Sequence, residues 1–202
     1  MNSLSSNLGD TSLSGTTTEL TPFAFKEWSL ICEALGSGMQ SIILRRGGIA
    51  EGRGGFRFEH EEFFLFPTLF HEQQEKVTEV PQLQERSKAE GEVRIDFFAK
   101  MEWSRSLESF SLVEKLRAHH IWKAQVVQER FHYKQAGQIN LAFLRVYRLL
   151  TPWLFPDSKA YGGCKSWVQL PGLQSLPIME LVLSDEEHSK RNQQVLGLLN
   201  TE

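Results

Sequence analysis

The segment GEVRIDFFAKMEW, residues 91–103, constrains the fold of this chain more than any other. Val93, Ile95, Phe97, Ala99, Met101 and Trp103 occupy every second position, and Arg94, Asp96, Lys100 and Glu102 fill most of the positions between them. A period of two sends the two sets to opposite faces of a β-strand, so the spacing predicts a long strand with one buried face. Such a strand needs neighbours on its edges, and the rest of the chain offers several.

Gln40 to Arg46 reads as a strand around Ile42, Ile43 and Leu44. Phe56, Phe58 and the run Phe63 to Phe66 flank the acidic Glu59, Glu61 and Glu62 and read as a meander of short strands. Trp122 to Lys134 and Gln138 to Leu149 both read as extended, and Gln135-Ala136-Gly137 between them has the length and glycine of a hairpin loop. This hairpin is expected at the centre of the sheet. The chain then turns through Pro152 and Pro156 into a last strand, Cys164 to Leu170.

Helices are expected in four places. Thr21-Pro22 suits a helix start, with Ala24, Trp28, Ile31 and Leu35 at helical spacing and Gly36 as the stop. A polar helix opens at Pro67-Thr68, runs through Val77 and is interrupted by Pro81. A third covers Leu107 to Leu116 and ends near His119-His120. Ser184-Asp185-Glu186-Glu187 is a capping box that opens the last. The sum is a single α+β domain over residues 21–183, built on a curved or barrel-like, mainly antiparallel sheet with flanking helices. Residues 1–20, rich in Ser, Thr, Asn and Gly, are expected to form a disordered tail, and residues 184–202 an accessory C-terminal helix.

Composition narrows the function classes. Of the 202 residues 41% are hydrophobic and 14 are Phe, which fits a globular chain with an aromatic core. The formal net charge of −3 argues against binding nucleic acid through overall positive charge, so any anion site must be local. Two cysteines, Cys32 and Cys164, and no secretory hydrophobic stretch point to a reduced, cytoplasmic setting, and no apolar run is long enough to span a bilayer.

Most motif chemistry is excluded. HEQQE at 71–75 places Glu75 where a zinc-protease helix needs its second His, so it reads as a solvated helix face. His119 and His120 diverge on any regular element, and Cys164 reads as a small buried residue of the last strand. No glycine run is followed by Lys-Ser or Lys-Thr, which excludes a P-loop. No cofactor or metal ligand set is identified.

What remains is QSIILRRGGIAEGRGGF at 40–56. Arg45, Arg46, Arg53 and Arg57 sit among Gly47, Gly48, Gly52, Gly54 and Gly55, pairing guanidinium forks with unshielded backbone N–H groups, both of which hold phosphate oxygens. Arg130 belongs to a second basic set, interleaved with Trp122, Phe131 and Tyr133, a combination that stacks a base and holds a backbone. The same residues also read as a hairpin tip with solvated arginines beside an ordinary amphipathic segment.

The stretches ILRRGGI, LFPTLFH, RFHY and LRVYRL resemble a family of uncharacterised bacterial proteins, the domain of unknown function 1802, from Phe23 to about Leu183. That resemblance implies no activity. LGSGMQSIILRRGG is similar to the opening motif of ASCH and related PUA-like domains, Gly-x-Lys-Thr-x-Glu-x-Arg, with Gly38, Ser41 and Arg45 matching and Gln40 and Ile43 replacing the Lys and Glu. This likeness implies a small β-barrel that binds RNA or modified bases, and the two replacements remove the acid–base pair that hydrolysis in such proteins would use.

The expectation is a module that binds RNA, DNA or a nucleotide, with Arg45, Arg46 and Arg53 on phosphate and Trp122 and Tyr133 as stacking faces. Two rivals stand beside it. One is a Mg²⁺-dependent nuclease using Asp96, Asp157 and Lys159. The other is a protein-interaction module presenting Phe63 to Phe70 and the terminal helix.

Overall fold

The computed structural model describes residues 20–46, 57–69, 73–78, 83, 89–133 and 137–200. The long strand of residues 91–103 is present as β4 (Glu92–Leu107), after β1 (Phe23–Trp28), β2 (Ile42–Arg46) and β3 (Glu62–Thr68). It is followed by β5 (Ile139–Pro156), β6 (Trp167–Gln169) and β7 (Met179–Leu181). The strands form one sheet in the order β2-β5-β4-β3-β1-β6, with β7 also on β5. Among the described residues, only β1 and β3 pair in parallel. Five α-helices among the described residues complete a mixed α+β fold with a mostly antiparallel sheet: α1 (Ser29–Gly36), α2 (Gln73–Lys76), α3 (Phe110–Lys115), α4 (Ala124–His132) and α5 (Asp185–Asn200).

The alternation in β4 does not mark one face. Ile95 pairs with Trp153 but Phe97 pairs with Arg148, so the single residue Asp96 lies against Leu149 to Pro152 of β5. An irregularity of this kind shifts the phase of the strand and moves later side chains to the other side of the sheet. Val93 and Ile95 therefore join one core with Phe64, Phe66 and Phe155, whereas Phe97 and Ala99 join the other with Ile43, Phe63 and Phe143. Both faces of this strand are buried from Ile95 to Ala99, whereas Lys100, Glu102 and residues 104–106 are exposed.

Three other expectations are corrected. Phe23 to Trp28 is a strand and not the first turns of a helix, because Ala24 and Phe25 are needed between β3 and β6, and the helix starts only at Ser29. The expected central hairpin is absent: α4 occupies most of residues 122–134, with Val127 and Phe131 buried one turn apart. Its expected partner strand is present as β5, which lies inside the sheet next to the end strand β2 and pairs with β2, β4 and β7. The chain does not turn at Pro152 either. β5 runs on to Pro156, with Pro152 inside the irregularity, where a missing N–H is tolerated.

The capping box at α5 forms as read, with Glu187 N–H donating to Ser184 Oγ at 3.3 Å and Ser184 N–H to Glu187 Oε2 at 3.2 Å. Val195 and Leu199 are buried in the core, His188 bonds Glu102 at 2.8 Å, and Trp103 Nε1 donates to Asn192 Oδ1 at 2.8 Å. α5 is thus packed into the domain. Of the Phe63 to Phe70 set, Phe63 to Phe66 are buried in β3, Leu69 is exposed and Phe70 lies outside the described residues.

The turn from α1 to β2 is set by a close approach. A Cβ on Gly36 would stand 2.0 Å from the Phe97 ring, which is itself enclosed in the core. Gly36→Ala is expected to lower unfolding free energy by about 2 kcal/mol through overpacking. Urea unfolding checks it, and a change below about 0.5 kcal/mol would contradict the close approach.

Candidate nucleic-acid interface

β2 and β6 are the two ends of the strand order, and side chains rather than backbone bonds join them. Arg45, in the exposed half of β2, donates from Nη2 to Ser166 Oγ, 2.9 Å away and just before β6. The same guanidinium lies 4.8 Å above the Phe25 ring, and its Nη1 is 3.8 Å from Glu27 Oε2. Curling of the sheet brings these ends together, and Arg45 closes the seam.

Glu27 is the buried charge at this seam, 1% exposed. Its Oε1 accepts the Trp28 N–H at 2.8 Å, while Oε2 makes no hydrogen bond. An ionised carboxylate is retained at such a place only when cations compensate it. Arg45 is one. Arg130, projected from α4, is the other: it donates to Leu44 O at 3.0 Å, and its guanidinium lies 3.6 Å from the Trp122 ring centroid and 5.5 Å from that of Trp28. Burial pulls the Arg130 pKa down to about 10, with Glu27 acting upward and Arg45 and Arg46 downward, so it stays charged at neutral pH.

The cations continue on both sides. Arg46 is exposed, and its guanidinium lies 4.3 Å from the Tyr133 ring centroid. Lys26 donates to Tyr161 O at 2.6 Å and Gly163 O at 2.9 Å. Burial lowers its pKa, and Lys165 and Arg45 lower it further, while Cys164 and Asp157 oppose them. Arg45 and Arg46 both act on Arg130, and Arg45 and Lys165 on Lys26, so these five cations form one cluster.

The structure unites Arg45, Arg46, Arg130 and Tyr133, which the sequence placed in two separate sets. It removes Trp122 as a stacking face, since that ring is 2% exposed and serves as the wall against which Arg130 lies. Arg130 itself is a tie between α4 and β2, not an exposed phosphate ligand. Arg57 is exposed, next to Phe58, whose ring is 5.7 Å from that of Phe25. Arg53 and the five glycines of the loop lie outside the described residues. Glu27, Lys26 and Ser166 went unread. A lone acid in the apolar run FAFKEW was the available signal for Glu27, and Ser166 had none.

The nuclease set is not assembled. Asp96 accepts three hydrogen bonds of 2.9–3.1 Å from Arg94, and Asp157 is anchored by its N–H to Gly91 O. Gly91 is five residues from Asp96 along an extended chain, which is roughly 16 Å. No group of three His, Cys, Asp or Glu is placed to hold a metal among the described residues. Two bland readings also change: Gln73 of the HEQQE segment is fully buried, bonding Leu30 N–H and Thr68 O, and Cys164 is exposed ahead of β6.

His120 supports the seam from behind. It is buried, its Nδ1 accepts the Trp122 N–H at 3.1 Å, and burial, with the nearby Arg130, His119 and Arg117, lowers its pKa to about 4. The unfolded chain, with an ordinary His pKa near 6.5, takes up this proton first, so stability falls as pH drops from about 6.5 towards 4. The His120 contribution to that loss is expected to be about 2 kcal/mol at pH 5. His120→Gln should flatten the urea midpoint between pH 7.5 and 5, and an equal drop in parent and variant would contradict this.

A family model described as a domain of unknown function (DUF1802) matches residues 24–194. The chain belongs to the DUF1802 family. No curated protein matches it. Among solved structures, this DUF1802 chain is similar to ASCH from Zymomonas mobilis, with 14% identity, a TM-score of 0.44, and 88% of this chain and 94% of the other covered. Two single-residue mutants of that protein give 11% and 13% identity with a TM-score of 0.43, each covering 85% of this chain and 93% and 95% of its own. Gln40 and Ile43 are each 1% exposed. Gln40 spends its amide on structure, donating to Ile42 O at 2.9 Å and accepting Ile121 N–H at 3.1 Å.

Proposed function

We propose that this DUF1802 domain binds the phosphate backbone of nucleic acid across the seam between β2 and β6. The observation that carries the reading is the clustering of Arg45, over the Phe25 ring, Arg46, over Tyr133, and Arg130, over Trp122, about the end of β2, on a protein whose net charge is negative. Guanidinium groups held by ring faces are pre-organised, so less side-chain entropy is lost when they meet a phosphate. Arg46, on the Tyr133 ring, and the partly exposed Arg45 are the contacting groups. Arg130 acts behind them, fixing the end of β2 and compensating Glu27. No bond-breaking step is assigned to these residues. Saturable binding of a labelled oligonucleotide, weakened by salt and competed by inorganic polyphosphate, is the expected result. A protein that binds no oligonucleotide at low salt contradicts the reading.

A further inference from the structure

A cavity of about 30 Å³ lies between α1, the end of β3 and the start of β4, and none of the cations of the seam lines it. It has room for roughly two waters. Ser29 and Glu33, one turn apart on α1, face Asp96 and Arg94 of β4 across it, and Phe66, Pro67 and Val93 make up its apolar wall. The irregularity in β4 falls on Asp96, and irregularities of this kind re-aim a side chain.

Positive charge is in short supply here. Arg94 donates three hydrogen bonds of 2.9–3.1 Å to Asp96. That bonding raises the Arg94 pKa, burial opposes it and the field of Glu33 adds to the rise, so both carboxylates act on one guanidinium. Arg148 of β5 does not line the cavity: it donates to Gly36 O and lies over the Phe97 ring. Two carboxylates against one guanidinium leave an excess negative charge, although Asp96 is only 8% exposed. Ser29 is 4% exposed, and its hydroxyl has no hydrogen-bond partner among the described residues. A buried hydroxyl without a partner and an uncompensated charge both call for an occupant.

The lining selects the kind of occupant. The excess charge repels an anion. A divalent metal ion needs more ligands than two carboxylates and a hydroxyl, and no group of three metal-holding side chains occurs among the described residues. A primary ammonium brings three N–H donors, which match the Ser29 hydroxyl, Glu33 and Asp96, whose carboxylate has acceptor capacity beyond its bonds to Arg94. Its alkyl stem then lies against Phe66, Pro67 and Val93. We infer that this cavity binds the head of a primary alkylammonium group, held by Ser29, Glu33 and Asp96. The inference goes beyond the phosphate-binding reading and does not depend on it.

Such a head occurs on free amines and on lysyl side chains, and the test separates the two sources. Backbone amide shifts of the ¹⁵N-labelled full chain are followed at neutral pH and fixed ionic strength during titration with n-butylamine, Nα-acetyl-lysine methylamide and N,N,N-trimethylbutylammonium. Saturable shifts centred on residues 29–33 and 93–96 are expected with n-butylamine. The trimethylated cation keeps charge and stem but has no N–H donor, and should bind at least about tenfold more weakly. Ser29→Ala and Glu33→Gln should each weaken n-butylamine binding by about fivefold. Either result with the lysine compound supports the site: equal binding admits a lysyl side chain, and failure beside bound n-butylamine restricts the site to free amines. Absence of saturable shifts with both amines overturns the inference. Equal binding of the trimethylated cation by the parent, or n-butylamine binding undiminished in both variants, does the same.

Discussion

Arg130→Ala is expected to lower the unfolding free energy by about 4 kcal/mol, the largest effect of any single substitution considered. The change leaves the buried Glu27 with Arg45 as its remaining compensating partner, removes the donor to Leu44 O and opens a gap against two indole rings. Weaker compensation of a buried carboxylate, a buried carbonyl left without its donor and a gap against two rings are together expected to cost about 4 kcal/mol. Arg130→Lys should recover little, since an ammonium cannot lie flat on Trp122 while bonding Leu44 O. The double variant Arg130→Met, Glu27→Gln should recover most of the loss by removing the charge and filling the gap together. Urea unfolding with an unchanged slope would report these differences, and an Arg130→Ala loss under about 1 kcal/mol would mean that Glu27 does not depend on it.

The second large effect concerns binding. Arg45→Gln with Arg46→Gln removes two positive charges while keeping a donor for Ser166 and a polar group beside Tyr133. Two fewer phosphate contacts should reduce the magnitude of the log K against log salt slope by roughly 1.4 for a single strand, at about 0.7 per contact. Affinity at low salt should fall at least about 30-fold, on the order of 2 kcal/mol, as expected for two charge-assisted bonds. A variant of equal stability that binds as tightly as the parent would remove both arginines from the interface.

The fold class was legible because period-two segments are long here and their ends are marked by glycine, proline and a capping box. Details were lost where one residue changes the phase. Asp96 sits among alternating apolar residues and gives no sign in the sequence that Ile95 and Phe97 fall in different cores. Residues 122–134 carry charges throughout, so the spacing of Val127 and Phe131 was outweighed by an apparent alternation, and α4 was read as a strand. For the site, Arg45 and Arg46 were visible as a dipeptide at the end of a strand. Their surroundings were not, because Glu27, Arg130 and Ser166 lie 18, 85 and 121 positions away from Arg45, and only curling of the sheet brings them together. A Trp in a basic segment likewise cannot announce whether it offers its face to a ligand or to a neighbouring arginine, and Trp122 does the latter.

The most direct test of the central claim is an anisotropy titration of labelled single-stranded oligonucleotide with the parent and with the Arg45→Gln, Arg46→Gln variant, each at several salt concentrations. The account predicts saturable binding by the parent that weakens linearly in log salt, and a shallower slope with lower affinity for the variant. Identical curves for the two proteins, or no binding by the parent at the lowest salt, would contradict it.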